Sequence, residues 1–186
     1  MKRLLILGNG KSRLKHMDYV KSWNSPIWGC NSIYKEYIDG AIPRLDLLMG
    51  DFSSLNEVVG NLRSLPKHIE ILGKNLRSAN LPKVKMIDLE SKYINDSGTT
   101  LIVLALKRGF QEINLIGFDL GGEDIYVPNH EQRNKSIWIR NWRMIANDFG
   151  LNKINFIGKD HKPFILSDEK EDFYARKYMK GEDHLK

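Results

Sequence analysis

Cysteine is nearly missing from this chain: Cys30 is the only one among 186 residues. That excludes a disulfide framework and zinc held by cysteine clusters. A lone cysteine at a strand end reads as a small buried hydrophobe in a reducing compartment. No run approaches the ~18 apolar residues of a membrane span. The basic start, MKRLLILGNGKS, has an apolar stretch (residues 4–7) too short for a signal peptide. A cytoplasmic protein without a membrane span is therefore expected. A block of one charge is lacking too. Lys and Arg outnumber Asp and Glu by 29 to 23, a net charge of +6, but they are scattered from Lys2 to Lys186. They do not interleave with the aromatics, which favours a solvated basic surface over a specific nucleic-acid groove. No HxH, HExxH or DxD pattern calls for a metal.

What is present is a hydrophobic content of 41%, enough for one well-buried core and too short a chain for two comfortable domains. Short apolar runs alternate with helical patterns. Strands are expected over residues 4–7, 26–30, 44–49, 68–72, 84–87, 112–116 and 153–157. Helices are expected over residues 12–23, where Leu14, Met17, Val20 and Trp23 recur at helical spacing, after the caps Ser53 and Ser54, and over residues 97–109 and 134–149. The stretch SGTTLIVLALKRG is apolar nearly all round, so it reads as a central buried helix. Strand–helix alternation implies right-handed crossovers and one doubly wound, mainly parallel α/β sheet with helices on both faces, Rossmann-like. We expect a nucleotide-binding domain over residues 1–166 and a charged tail over 167–186. In such sheets ligands bind beyond the carboxyl ends of the strands.

The first strand ends in LILGNGKSRL, which contains GKS as a P-loop would. A P-loop needs glycine where Leu5 stands, inside the strand, so that reading fails. A dinucleotide fingerprint needs a third glycine where Arg13 stands and an acid near the end of the second strand, which instead runs Gly29-Cys30-Asn31. What survives is a tight turn. Gly8 and Gly10 let the backbone approach a ligand, and Lys11 and Ser12 open a helix that aims free N–H groups at it. Asn9 and Asn31 bring neutral amides to adjacent strand ends, suited to a base edge or ribose; tolerance of unusual backbone angles would also explain either one.

Two further constellations share that rim. Asp96-Ser97-Gly98-Thr99-Thr100 places hydroxyls and amides at a helix start, with Asp96 or Ser97 as its cap. GFDLGGEDIYVPNH, residues 117–130, places Asp119 at a strand end and Tyr126 and His130 in a polar loop of lid length. His130 reads more readily as an exposed loop histidine.

GNGKSRL, CNSIY and SGTTLIVLALKRGFQEINLIGFDLGG stand in an order that resembles the bacterial sialyltransferases of glycosyltransferase family 42. That family has a Gly-Asn-Gly-Pro-Ser-Leu loop, a Cys-Asn-x-Phe-Tyr strand end and a Ser-Gly helix leading to a Gly-x-Asp-Phe strand end. The resemblance covers most of residues 1–124. It implies a glycosyltransferase with a CMP-sugar as donor and no cofactor. Asn9 and Asn31 would contact the cytidine monophosphate portion, with Ser97 and Gly98 near its phosphate or sugar and Thr99 beside them. Asp51 stands where the family carries an Asn near the donor, and Tyr126 falls near a phosphate-contacting Tyr. Lys11 replaces the loop proline, Leu120 stands where another such Tyr would be, and His130 is the nearest substitute for the base histidine, with Asp119 as the other proton acceptor. The chain is also similar to the archaeal-type 6-hydroxymethylpterin diphosphokinases, in which case Asp51 and Asp119 would handle magnesium and phosphate. A nucleotide-binding protein without catalysis is the third reading. The expected partner is a small nucleotide or nucleotide sugar, with self-association into a homo-oligomer left open.

Overall fold

The computed structural model describes residues 1–60, 65–75, 80–120, 125–126 and 135–167. Seven strands, β1 (Arg3–Leu7), β2 (Ile27–Cys30), β3 (Leu47–Gly50), β4 (Glu70–Gly73), β5 (Val84–Met86), β6 (Glu112–Ile116) and β7 (Ile154–Phe156), form one sheet in the order β5-β4-β3-β2-β1-β6-β7. Every pairing is parallel. The chain steps outward from β1 to β5, then crosses back to place β6 on the other side of β1. The carboxyl ends of β1 and β6 therefore diverge at a topological switch point, where sheets of this class open a crevice.

Alternate residues of each strand point to opposite faces, and two cores follow. Leu5, Leu7, Ile27, Leu48 and Ile71 pack with Val20, Ile33, Leu55 and Val58 from α1 (Met17–Ser22), α2 (Ile33–Ile38) and α3 (Phe52–Gly60). Leu4, Ile6, Leu47, Met49 and Leu115 pack with α4 (Ser97–Lys107), α5 (Lys135–Phe149) and α6 (Lys162–Ile165). This is the doubly wound sheet expected, with helices on both faces. Helix α4 is as central as its sequence suggests: Leu101, Ile102, Val103, Leu104 and Ala105 are all buried, and Gly109 beyond its end takes a positive φ of 75°.

Some local expectations change. The helix expected over residues 12–23 is broken into a 3-10 turn (Lys11–His16) and α1. Its first apolar residue, Leu14, is 52% exposed, whereas its neighbour Arg13 is fully buried. The reason is a set of buried acceptors on the Arg13 side, described below. Helix α3 starts at Phe52, and the carboxylate of Asp51, rather than Ser53 or Ser54, receives the Ser54 N–H at 3.0 Å. Helices α2 and α6 are short and lack a long apolar period, so the sequence pattern did not signal them. Among the described residues no helix is long and apolar enough to cross a membrane. His130 and the tail beyond residue 167 lie outside the described residues.

Candidate functional site

The loops after β1 and β6 lock together. Gly8 N–H donates to Ile116 O at 2.8 Å and Gly10 N–H to Gly117 O at 2.9 Å, extending the strand pairing past the sheet. A Cβ on Gly8 would lie 2.3 Å from Gly117 O, and one on Gly117, whose φ is 74°, would lie 2.7 Å from Gly8 O. A Cβ on Gly10 would strike the Asp119 carboxylate at 2.5 Å. These glycines are thus required by the junction itself, before any ligand is considered.

Asp119 fills the start of the 3-10 turn. Its Oδ2 accepts the Ser12 N–H at 2.9 Å and its Oδ1 accepts the Ser12 hydroxyl. The amide expected to face a phosphate is therefore held by an internal carboxylate. Behind this loop Arg13 donates to Gly8 O at 2.9 Å, to Glu36 and to the Tyr126 hydroxyl at 2.9 Å, while Tyr126 donates to Glu36 at 2.5 Å. Burial pushes the Tyr126 phenol well above its ordinary range, against the pull of the Arg13 charge and with help from Glu36, so it remains a protonated donor. Ile125 N–H donates to Asn9 O at 2.9 Å. Residues 125 and 126 are thus pinned to the β1 loop, and the carbonyls of Gly8 and Asn9 are both occupied.

With its backbone committed, Asn9 has a buried side-chain oxygen that finds no hydrogen-bond partner among the described residues. Such an orphan acceptor costs about 1–3 kcal/mol and marks a place where a donor is missing. At the end of β2, Asn31 takes the left-handed conformation, φ 53°, with its N–H bonded to Met49 O at 2.8 Å. Its Oδ1 accepts the hydroxyls of Ser97 at 3.3 Å and Ser54 at 3.4 Å, which leaves its NH2 group as a donor. Asp51 belongs to this corner only indirectly. It binds the Ser53 hydroxyl at 2.8 Å and the Ser54 N–H. Burial works to raise its pKa, but those bonds and the Lys74 charge hold the carboxyl below its ordinary range.

At the start of α4, Asp96 accepts the Thr99 N–H at 2.8 Å, the Thr99 hydroxyl at 2.5 Å and the Asn141 amide at 2.9 Å. Thr99 is thereby committed, whereas the N–H groups of Ser97 and Gly98 have no partner among the described residues. They present the positive end of the helix to whatever lies beyond. The glycine at position 98 admits the Phe118 ring, 2.8 Å from where its Cβ would be.

These parts line a half-open cavity of about 150 Å³ at the switch point. Gly8, Asn9 and Gly10 line it from β1, Cys30 and Asn31 from β2, residues 96–98 from α4, residues 117–120 from β6, and Trp138 and Trp142 from α5. Of the residues expected at the site, Lys11, Ser12, Asp51, Thr99 and Tyr126 stand around it without lining it. The two tryptophans were not anticipated, because a pair spaced four apart on a helix reads as core. Nor was His161, which is 4% exposed and stands edge-on to Phe156 at 5.3 Å. Burial, then Lys159, lowers its pKa to about 4, against the opposing pull of Asp119 and Asp160. Among the described residues no three His, Cys, Asp or Glu side chains are grouped to hold a metal ion.

No family model matches the chain, and no curated protein matches its sequence. Solved structures do. A single-site variant of the sialyltransferase CST-II in complex with CMP is similar with a TM-score of 0.51 at 16% identity, over 84% of this chain and 86% of that one. CST-II in complex with a trisaccharide acceptor and CMP gives 0.51 at 17% identity, over 83% and 86%. The sialyltransferase CstII from Campylobacter jejuni with the analogue CMP-3FNeuAc gives 0.50 at 19% identity, over 84% and 79%. At these identities the likeness is one of fold, and the fold is sialyltransferase-like.

Proposed function

We propose that this chain is a nucleotide-sugar-dependent glycosyltransferase of the sialyltransferase type, which binds a CMP-linked donor at the crevice between β1 and β6. The observation that carries the reading is the concentration in that crevice of hydrogen-bonding groups left unspent among the described residues: the Asn9 oxygen, the Asn31 amide and the Ser97 and Gly98 N–H groups. The similar structures, each holding CMP or a CMP-linked analogue, support the choice of nucleotide.

In this reading Asn9 and Asn31 hold the nucleoside, and the start of α4 meets the phosphate. As the bond from the anomeric carbon to the phosphate oxygen breaks, negative charge grows on the leaving CMP. Preoriented N–H groups stabilise it there without reorganising, with Lys11 adding positive charge at the rim. Tyr126 contributes by fixing residues 125 and 126 against Asn9. The acceptor hydroxyl attacks the anomeric carbon and passes its proton to His130 or Asp119. No metal takes part in these steps.

Thermal denaturation with added CMP, without metal, tests the proposal, since a ligand of the native state raises the midpoint. CMP at a hundredfold excess over its dissociation constant is expected to stabilise by about 2.7 kcal/mol. Stabilisation by ATP with magnesium, and none by CMP, would replace this reading with the diphosphokinase one. If neither nucleotide moves the midpoint, both readings fail.

A further inference from the structure

We propose that Trp138 is the stacking platform for the nucleobase of the bound ligand, an assignment that rests on the nucleotide reading of the crevice. Trp138 and Trp142 are four residues apart and share one face of α5. Trp142 is 1% exposed and stands among aromatic rings, Phe118 at 6.2 Å and Phe156 at 5.0 Å. It is core. Trp138, one turn earlier, is only half-buried, and its indole lines the cavity. The buried Asn141 holds α5 in place by donating to the same Asp96 carboxylate that caps α4. That bond ties α5, one turn from Trp138, to the start of α4, which lines the same cavity.

The cavity, about 150 Å³, is below the roughly 300–1,000 Å³ that encloses a whole small-molecule ligand. It takes one part of the ligand. That part needs a flat apolar face to meet Trp138 and Phe118, and a polar edge to reach the unpartnered Asn9 oxygen. It is also uncharged, because no Lys or Arg lines the cavity among the described residues. A nucleobase meets all three requirements. The Asp96 and Asp119 carboxylates on the same lining disfavour an anion everywhere except at the Ser97 and Gly98 N–H groups, where the phosphate is placed.

The test is isothermal titration of the full chain with CMP, cytidine and ribose 5-phosphate, for wild type, Trp138→Ala and Trp138→Phe. Loss of one base-stacking partner is expected to weaken CMP and cytidine about tenfold or more in Trp138→Ala, with most of the affinity kept in Trp138→Phe. Ribose 5-phosphate should bind wild type and variants alike. Tryptophan fluorescence adds a readout that a purely structural role would not move: CMP should quench wild type, and Trp138→Phe should lose that quench while still binding. It also serves if Trp138→Ala does not fold. Unchanged CMP affinity in Trp138→Ala, an undiminished quench in Trp138→Phe, or equal weakening of ribose 5-phosphate overturns the platform and leaves the nucleotide reading standing. Failure of wild type to bind CMP at all overturns both.

Discussion

The two ends of the sheet treat their polar groups in opposite ways. At the amino ends of the strands, charges are spent on each other. Arg108 pairs with Glu70 at 2.7 Å, Arg44 with Asp46 at 2.7 Å and Arg3 with Glu112 at 3.4 Å, while Asp46 also takes the Ile27 N–H at 2.9 Å. At the carboxyl ends, an outer ring is equally closed, with Asp119 on Ser12 and Arg13 on Gly8, Glu36 and Tyr126. Inside that ring, Asn9, Asn31, Ser97 and Gly98 keep hydrogen-bonding capacity in reserve among the described residues. Residue type alone does not separate the ends. Arg3 Nε and Arg13 Nε also lack a hydrogen bond among the described residues, so what separates the ends is that only at the carboxyl ends do such groups line a cavity together.

The comparison breaks hardest at Arg13, a carboxyl-end residue that behaves as structure. Arg13→Ala leaves the part-buried Glu36 and the Gly8 carbonyl without their fully buried partner, so urea unfolding should show a loss of about 2–3 kcal/mol. A loss under about 1 kcal/mol would mean that the brace holds nothing. His161 comes next, through pH. Its folded pKa of about 4 lies below the ordinary 6.5, so only the unfolded chain gains a proton in between. No stability is lost above pH 6.5; up to about 3 kcal/mol is lost as pH falls from 6.5 to about 4, and none further below. Denaturation curves for wild type and His161→Gln across that window should diverge by this amount, because the variant lacks the slope. Asn31→Gly sharpens the contrast. It removes the amide and relieves the left-handed backbone, offsetting the loss of the long Ser97 and Ser54 hydroxyl bonds, so CMP affinity should fall about tenfold or more while the ligand-free melting midpoint changes little. The smallest effect belongs to the closed end: Arg108→Ala should cost less than about 1 kcal/mol and leave the CMP-induced shift intact.

The parts of the fold that read directly from sequence are those in which local pattern and burial coincide. LLIL and INLI are short apolar runs with no helical period, and they form the two strands that frame the crevice. SGTTLIVLALK carries its cap, its apolar body and a following glycine in one stretch. The site was legible as rim segments, because strand ends follow from strands. Its internal pairing was not. Ser12 and Asp119 are 107 positions apart, and nothing near either one announces the other. Arg13 beside Leu14 reads as a surface residue until Gly8, Glu36 and Tyr126 are known to surround it. A glycine in the first turn of a helix costs stability and signals a close approach; at position 98 the group that approaches is the Phe118 ring.

The interlock of Gly8 with Gly117 also has a consequence in time. Residues 1–60 contain β1, β2 and β3 and the Arg13 contacts to Gly8 and Glu36, but the backbone partners of Gly8 and Gly10 are residues 116 and 117. Bringing the two together closes a loop of more than a hundred residues, which is the slow kind of contact. The crevice therefore rests on one of the longest-range contacts of the fold. A chain stopped before β6 would hold the glycines, Asn9 and Asn31, yet have no floor beneath them.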